Sequence, residues 1–438
     1  MKFLFVHQNF PGQFLHIVRH LVASGRHEVL FITEPNPNQM AGVRKVPYVR
    51  PVQNNASTHV AARELDNGVR RAEAVFKAGY GLRHLGFEPD IIIGHHGWGE
   101  MLNLGDLWPN APMLGYMEFY YQHDRADVNF DPEFPTDPLE FPRIRAKNAI
   151  NHIALNLGTP GQTPTQWQLS TYPDWARPSI DLIWEGVDLD LCAPDPAARR
   201  KVLQIGGMTI RPTDKLVTYV SRDLEPYRGF HVMMRALPEI MRARKDVKFV
   251  LVGGNGVSYG GPPAQGGTWR EVMLAELGAR LDMERVMFPG RVPYEMHLSL
   301  LRRSDAHVYL TYPFVASWSL REALAAGCPI IGSDTEPVRE FITHGENGLL
   351  TPCLQPKRLA QAVLRLLDDR GLSRTLRGNA RAYAEQRLSM QDYLKQYCSV
   401  IERLTEENPS ATPKARPAPP RPAGRRSHAP RRLKDAAD

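Results

Sequence analysis

Short apolar runs alternate with segments of helical periodicity along most of the chain. Lys2–His7 reads as a buried strand, followed by a loop, a helix over about Gln13–Ala23 and a second strand over His27–Thr33. Ala61–Leu85 places Val69, Ala72, Val75, Phe76 and Tyr80 at helical spacing, and Asp90–Gly94 and Met113–Tyr116 read as further strands. Around Asp181–Pro194 the rhythm pauses. It restarts with strands at Leu216–Ser221, Val247–Gly253, Val286–Pro289, Ala306–Leu310 and Pro329–Gly332. Helices fall between them at Phe230–Arg242, Trp269–Leu281, Tyr294–Arg303 and Ser319–Ala326. Continuous apolar strands separated by helices predict parallel sheets covered on both faces. The expectation is an α/β protein of two Rossmann-like, doubly wound domains facing across a cleft. The first covers about 1–187 and the second about 188–385, with a helix near 390–407 packing back on the first.

The length of 438 residues accommodates two such cores. A 42% hydrophobic and 23% charged composition excludes a fibrous or largely disordered chain. The opening residues turn polar too early for a leader, and no run is apolar for long enough to span a membrane. Cys192, Cys328, Cys353 and Cys398 are widely spaced without a CxxC, which points away from a disulfide framework or zinc site and toward a reducing, cytoplasmic setting.

The formal charge of +7 is unevenly placed. Residues 409–438 carry eight Lys/Arg against two Asp in a Pro/Arg/Ala-rich stretch, which reads as a disordered tail. The rest is nearly neutral, which argues against a nucleic-acid partner. The tail is either a solvated extension or a peripheral contact for the anionic inner face of a membrane.

Three segments carry candidate chemistry. The first loop, His7-Gln8-Asn9-Phe10-Pro11-Gly12-Gln13-Phe14, lacks a dinucleotide fingerprint; Gly12 serves a tight turn or a helix N-terminus that holds an anion. Arg222 and Arg228 flank a turn after the second domain's first strand, and guanidinium forks suit phosphate oxygens. Ser317 and Ser319 open a helix whose free N–H groups suit a phosphate, and Glu322 lies about one turn inside it, placed for a pair of sugar hydroxyls.

Arg222…Arg228-Gly229, Gly253-Gly254, Glu322-Ala323-Leu324-Ala325-Ala326-Gly327-Cys328-Pro329, Asp334 and Glu340…Gly345-Glu346-Asn347-Gly348-Leu349-Leu350 occur in this order. Together with the Asp90–His95 strand end, this set resembles the retaining GT-B glycosyltransferases of family 4 over roughly Lys2–Thr405. The resemblance implies transfer of a hexose from a nucleotide sugar to an acceptor hydroxyl, with retention at the anomeric carbon. It assigns His95, Arg222 and Arg228 to catalysis, with His96 as the alternative to His95. Gly12, Gly253, Gly254, Arg291, Ser317, Ser319 and Glu322 fall on the donor side. The first Glu of the family's E-x7-E pattern is replaced by Phe314, and the glycine pair ahead of Glu340 by Glu336-Pro337.

The aromatic and acidic stretch 118–127, with Glu118, Tyr120 and Asp124, is a candidate wall for a glycan or glycolipid acceptor or a surface loop with core aromatics. Asp188-Leu189-Asp190 spells the metal signature of another transferase class, but it falls in the interdomain hinge. No metal or other cofactor is expected, since arginines and helix N–H groups can neutralise a diphosphate. A non-catalytic sugar-nucleotide binder and a sugar-nucleotide epimerase are the competing readings.

Overall fold

The computed structural model describes residues 1–52, 57–124 and 126–407; the basic stretch 409–438 lies outside them. The chain begins β1 (Lys2–Val6), α1 (Leu15–Ala23), β2 (Glu28–Thr33), β3 (Val43–Pro47), α2 (Arg63–His84), β4 (Ile91–His95), α3 (Leu104–Leu107) and β5 (Met113–Tyr116). It continues through α4 (Phe141–Ala146), α5 (Ala149–Asn156), β6 (Gly161–Thr163), α6 (Gln166–Thr171) and β7 (Ile180–Leu182). These strands form one seven-stranded parallel sheet, ordered β3-β2-β1-β4-β5-β6-β7.

The alternation of side chains along its strands builds two cores. Phe3, Phe5, Phe31 and Ile93 pack under α1 on one face. Leu4, Val6, Ile32 and Ile92 pack under α2 and α3 on the other. Both faces are dry, so these strands read as unbroken apolar runs.

After a hairpin of β8 (Leu203–Ile205) and β9 (Met208–Ile210), the second unit runs β10 (Lys215–Asp223), α7 (Phe230–Ala243), β11 (Val247–Gly254), α8 (Trp269–Leu277) and β12 (Val286–Gly290). Then come α9 (Tyr294–Arg303), β13 (Ala306–Tyr309), α10 (Trp318–Ala325), β14 (Ile330–Ser333), α11 (Glu336–Arg339), β15 (Leu349–Thr351), α12 (Pro356–Asp368), α13 (Arg370–Arg387) and α14 (Met390–Glu407). Its six-stranded parallel sheet is ordered β12-β11-β10-β13-β14-β15. The fold is α/β with two doubly wound parallel sheets.

The chain crosses back at its end. Val187 bridges Ser389, and Tyr393, Tyr397, Ile401 and Leu404 of α14 join the core beneath α1 in the first unit. Among the described residues no helix is long and apolar enough to cross a membrane. The four cysteines are unpaired.

The periodicity did not reveal β3, β6, β7 or the β8–β9 hairpin. β7 falls inside the segment where the rhythm pauses, and the helix expected to reach Leu281 ends at Leu277.

Candidate functional site

The carboxyl ends of parallel strands are where open α/β sheets bind ligands. In the first unit, three neighbouring strands deliver His7 just after β1, His95 at the end of β4 and Glu118 two residues beyond β5. The His7 and His95 rings lie 5.2 Å apart, and His95 Nε2 is 3.4 Å from Glu118 Oε2. His95 is buried, with 1% of its side chain exposed, whereas Glu118 keeps 24%. The Gly97 N–H donates to His95 Nδ1 at 3.2 Å, so the neutral ring carries its proton on Nε2, facing the carboxylate.

Burial, then the neighbouring His95, pushes His7 down to about 3, so it is a neutral imidazole at physiological pH. Burial alone would raise the Glu118 carboxyl; contact with His95, helped by the Arg222 charge, outweighs it and holds the group below the usual range. Gly12 has φ +55°, and a Cβ there would sit 2.7 Å from His7 Nδ1. Its small size therefore lets the loop close over the histidine. His96 is buried within the same unit and pushed down to about 3 by burial and by His95.

The second unit presents Arg222 near the end of β10. Its side chain is exposed and makes no hydrogen bond or ion pair among the described residues. His16 of α1 and Trp318 at the start of α10 meet with ring centres 5.3 Å apart, so the two units approach each other beside these strand ends.

Arg228 is placed differently. It is buried, donates to Thr311 Oγ1 at 2.8 Å and the Val315 carbonyl at 2.9 Å, and lies 4.7 Å from the Tyr259 ring centre. The structure thus separates the two arginines into one open cation and one that holds the loop before α10.

That loop and its helix carry the other donor-side candidates. Ser317 Oγ and Ser319 Oγ are 2.7 Å apart, and the Ser317 N–H donates to Tyr309 Oη at 2.7 Å. Glu322 is gripped by α9: Tyr294 donates to Oε1 at 2.9 Å, and His297 Nε2 is 2.9 Å from Oε2. Gly253 and Gly254 end β11 where any Cβ would collide, at Gly253 with Leu224 and at Gly254 with the Asp223 carboxylate. Asp223 in turn pairs with exposed Arg291 at 3.2 Å.

Glu225, which sequence reasoning passed over, is fully buried and accepts backbone N–H groups from Ser258 (3.2 Å), Tyr259 (3.3 Å) and Gly260 (2.9 Å). With Asp223, which accepts from Gly256 and Ser258, it orders the glycine-rich loop after β11. Two acids two residues apart before a Gly/Ser-rich segment were the available signal.

The stretch 118–127 does not form a single wall. Glu118 joins His95, Tyr120 bonds His152 Nε2 at 2.8 Å on α5, and Asp124 is exposed. The residues after β5 instead cross to the second unit. Tyr227 donates to Asp127 at 2.7 Å, and Tyr312 donates to Asp131. His231 lies 2.9 Å from Asp131, and Arg235 clamps Glu133 at 2.6 and 2.7 Å. Asp131, Glu133 and His231 have the spacing of a metal-ligand group, but each already holds a partner across this latch.

Asp188 turns its carboxylate back on the N–H groups of Asp190 and Leu191, a local turn that accounts for the DxD pattern. A cavity of about 440 Å³ opens beside Gln122, Trp167 and Thr171; none of the donor-side candidates lines it.

Two facing parallel sheets, with charged and hydrogen-bonding groups gathered at their carboxyl ends, define a GT-B class protein. Residues 25–192 match the glycosyl transferase family 4 group and residues 206–383 match the glycosyl transferases group 1, so the chain belongs to the group 1 glycosyltransferases. It is similar to D-inositol 3-phosphate glycosyltransferase of Nocardia farcinica, at 29% identity over 48% of this chain and 44% of that one. It is also similar to the GDP-mannose-dependent alpha-(1-6)-phosphatidylinositol monomannoside mannosyltransferase of Mycobacterium tuberculosis, at 30% identity over 44% and 48%. The chain thus spans less than half the length of these curated relatives. Among solved structures, Anabaena HepE in complex with UDP and glucose shares the fold with TM-score 0.64, 18% identity and coverage of 92% and 99%. Sucrose-phosphate synthase of Thermosynechococcus elongatus does so with TM-score 0.66, 19% identity and coverage of 93% and 100%.

Proposed function

We propose that the protein transfers a hexose from a nucleotide sugar to a hydroxyl of a glycan or glycolipid acceptor, with retention at the anomeric carbon. The observation that carries this reading is Arg222, an exposed guanidinium at the end of a central strand and unpaired among the described residues. In this role Arg222 binds the donor diphosphate, and the N–H groups opening α10 add to the positive field on the leaving group. Glu322 takes a pair of ribose hydroxyls; its two oxygens are oriented by Tyr294 and His297 and retain further acceptor capacity. Arg228 and Glu225 hold the two loops that frame the donor. The relatives named for inositol phosphate and phosphatidylinositol mannoside acceptors support a polyol or glycolipid hydroxyl as the acceptor class. The basic stretch 409–438 is proposed as the contact with an anionic membrane surface bearing such an acceptor.

A second reading, a sugar-nucleotide binder without transferase activity, draws on Phe314, whose ring cannot hydrogen-bond a sugar. Incubation with UDP-glucose and GDP-mannose in the presence of a cell-extract acceptor pool separates the two. Transfer or slow donor hydrolysis, with the α-linkage conserved by NMR of the anomeric proton, supports the first reading. Binding without turnover supports the second.

A further inference from the structure

Three features of the first-domain cluster distinguish Glu118 from its neighbours. Its side chain is the one in the His7–His95–Glu118 group that reaches solvent; His7 and His95 are each 1% exposed. Among the described residues no Lys or Arg forms an ion pair with it. Its backbone is fixed, since Gln168 Nε2 donates to the Glu118 carbonyl at 2.7 Å. The carboxylate is therefore held on a fixed backbone at the carboxyl end of the first sheet and is partly open to solvent. Behind it, His95 Nε2 lies 3.4 Å from the carboxylate, and the Gly97 N–H sets the tautomer of His95.

Resting on the transferase reading, we infer that Glu118 is the catalytic residue of the first domain, its carboxylate facing the sugar ring and stabilising the positive charge that develops as the diphosphate leaves. His95 is a positioning residue that acts through it. As the bond from the anomeric carbon to the diphosphate oxygen breaks, its electron pair departs with the diphosphate, which Arg222 neutralises. The sugar ring is left with partial positive charge next to a fixed carboxylate. The acceptor oxygen then bonds to the anomeric carbon, and its proton passes to the departing phosphate oxygen. Glu118 forms no bond and takes no proton. The setting suits this role better than general-base work: His95 and Arg222 hold the carboxyl below its ordinary range, which keeps it charged and makes it a weak base.

The test measures turnover of UDP-glucose and GDP-mannose together with calorimetric binding of UDP and GDP. Glu118→Gln keeps the shape and removes the charge. It is expected to lower kcat at least 100-fold, while KM for the donor and the nucleoside diphosphate dissociation constant stay within threefold. Glu118→Asp should recover part of the loss. His95→Gln, which keeps an N–H donor, should retain more kcat than His95→Leu at unchanged nucleotide affinity. Turnover by Glu118→Gln within threefold of the wild type overturns the inference, as does parallel loss of UDP and GDP binding, which would place Glu118 in the diphosphate grip. If the wild-type protein binds and turns over none of these donors, the transferase reading falls first and this inference with it.

Discussion

Phe119 of the first unit and Phe314 of the second meet across the domain junction with ring centroids 4.6 Å apart. Tyr227 at 5.4 Å and Tyr259 at 5.2 Å complete the packing around Phe314, which is 4% exposed. The position matching the first Glu of the E-x7-E pattern is occupied here by an apolar plug that joins the two units. Its first consequence is energetic.

Phe314→Ala should cost about 3–5 kcal/mol, the range for removing a buried phenyl ring. Phe314→Glu should cost more than Phe314→Leu, because a carboxylate would be buried among aromatic rings. Thermal melts of the three variants check this ordering. A Phe314→Glu protein as stable as the wild type would show that the ring is not part of the interdomain core.

The two arginines of the donor motif should separate in their phenotypes. Arg228→Ala removes donors from Thr311 and the Val315 carbonyl and leaves buried acceptors unpaired, a loss of about 1–3 kcal/mol each. Arg222→Ala breaks no side-chain hydrogen bond or ion pair among the described residues and should leave the melting temperature unchanged. Equal melting shifts for both variants would contradict the burial pattern.

Acid should destabilise the protein through buried histidines. Burial holds His7, His96 and His307 down at about 3 in the folded state, against 6.5 ordinarily. Between those values the unfolded chain binds the extra protons, so stability falls as pH drops through the window, by about 1.4 kcal/mol per pH unit per histidine. Glu100 opposes this with one proton: burial raises it to about 7, so it favours the folded state at lower pH from 7 down to its ordinary 4.5. Urea midpoints measured from pH 7 to 4 should decline, and His96→Gln should reduce the slope by about one proton.

Glu322→Ala should weaken UDP and UDP-glucose equally, because the residue is assigned to the ribose and not to the sugar. Calorimetry with both ligands checks this. A loss confined to UDP-glucose would move Glu322 to the sugar.

The legible part of this molecule is the part governed by local pattern. Tyr294–Arg303 and Met113–Tyr116 form their elements at the expected bounds because their apolar residues keep one strong period. Val43-Arg44-Lys45-Val46-Pro47 escaped because it is an edge strand, half exposed and charged. Gly161–Thr163 and Ile180–Leu182 are too short to show a period; their pairing with neighbours makes them strands. The hairpin did leave a signal, Gly206-Gly207 between two three-residue strands.

The site divides in the same way. The residue types of Arg222 and Glu322 and their places after a strand and within a helix made them legible as candidates for a phosphate and a hydroxyl pair. Nothing local shows that Tyr294 and His297 hold Glu322, that Arg228 is buried or that residues 127–133 latch the two units. Each of those contacts joins residues brought together only by the tertiary fold.

The most direct test of the account is calorimetric titration of UDP and GDP into the wild type and into Arg222→Ala. At least one nucleotide should bind the wild type, and the folded variant should bind it about 10- to 150-fold more weakly, matching the ~1.5–3 kcal/mol of a charge-assisted hydrogen bond. Unchanged affinity in the variant, or no binding of either nucleotide by the wild type, would contradict a donor site built on Arg222.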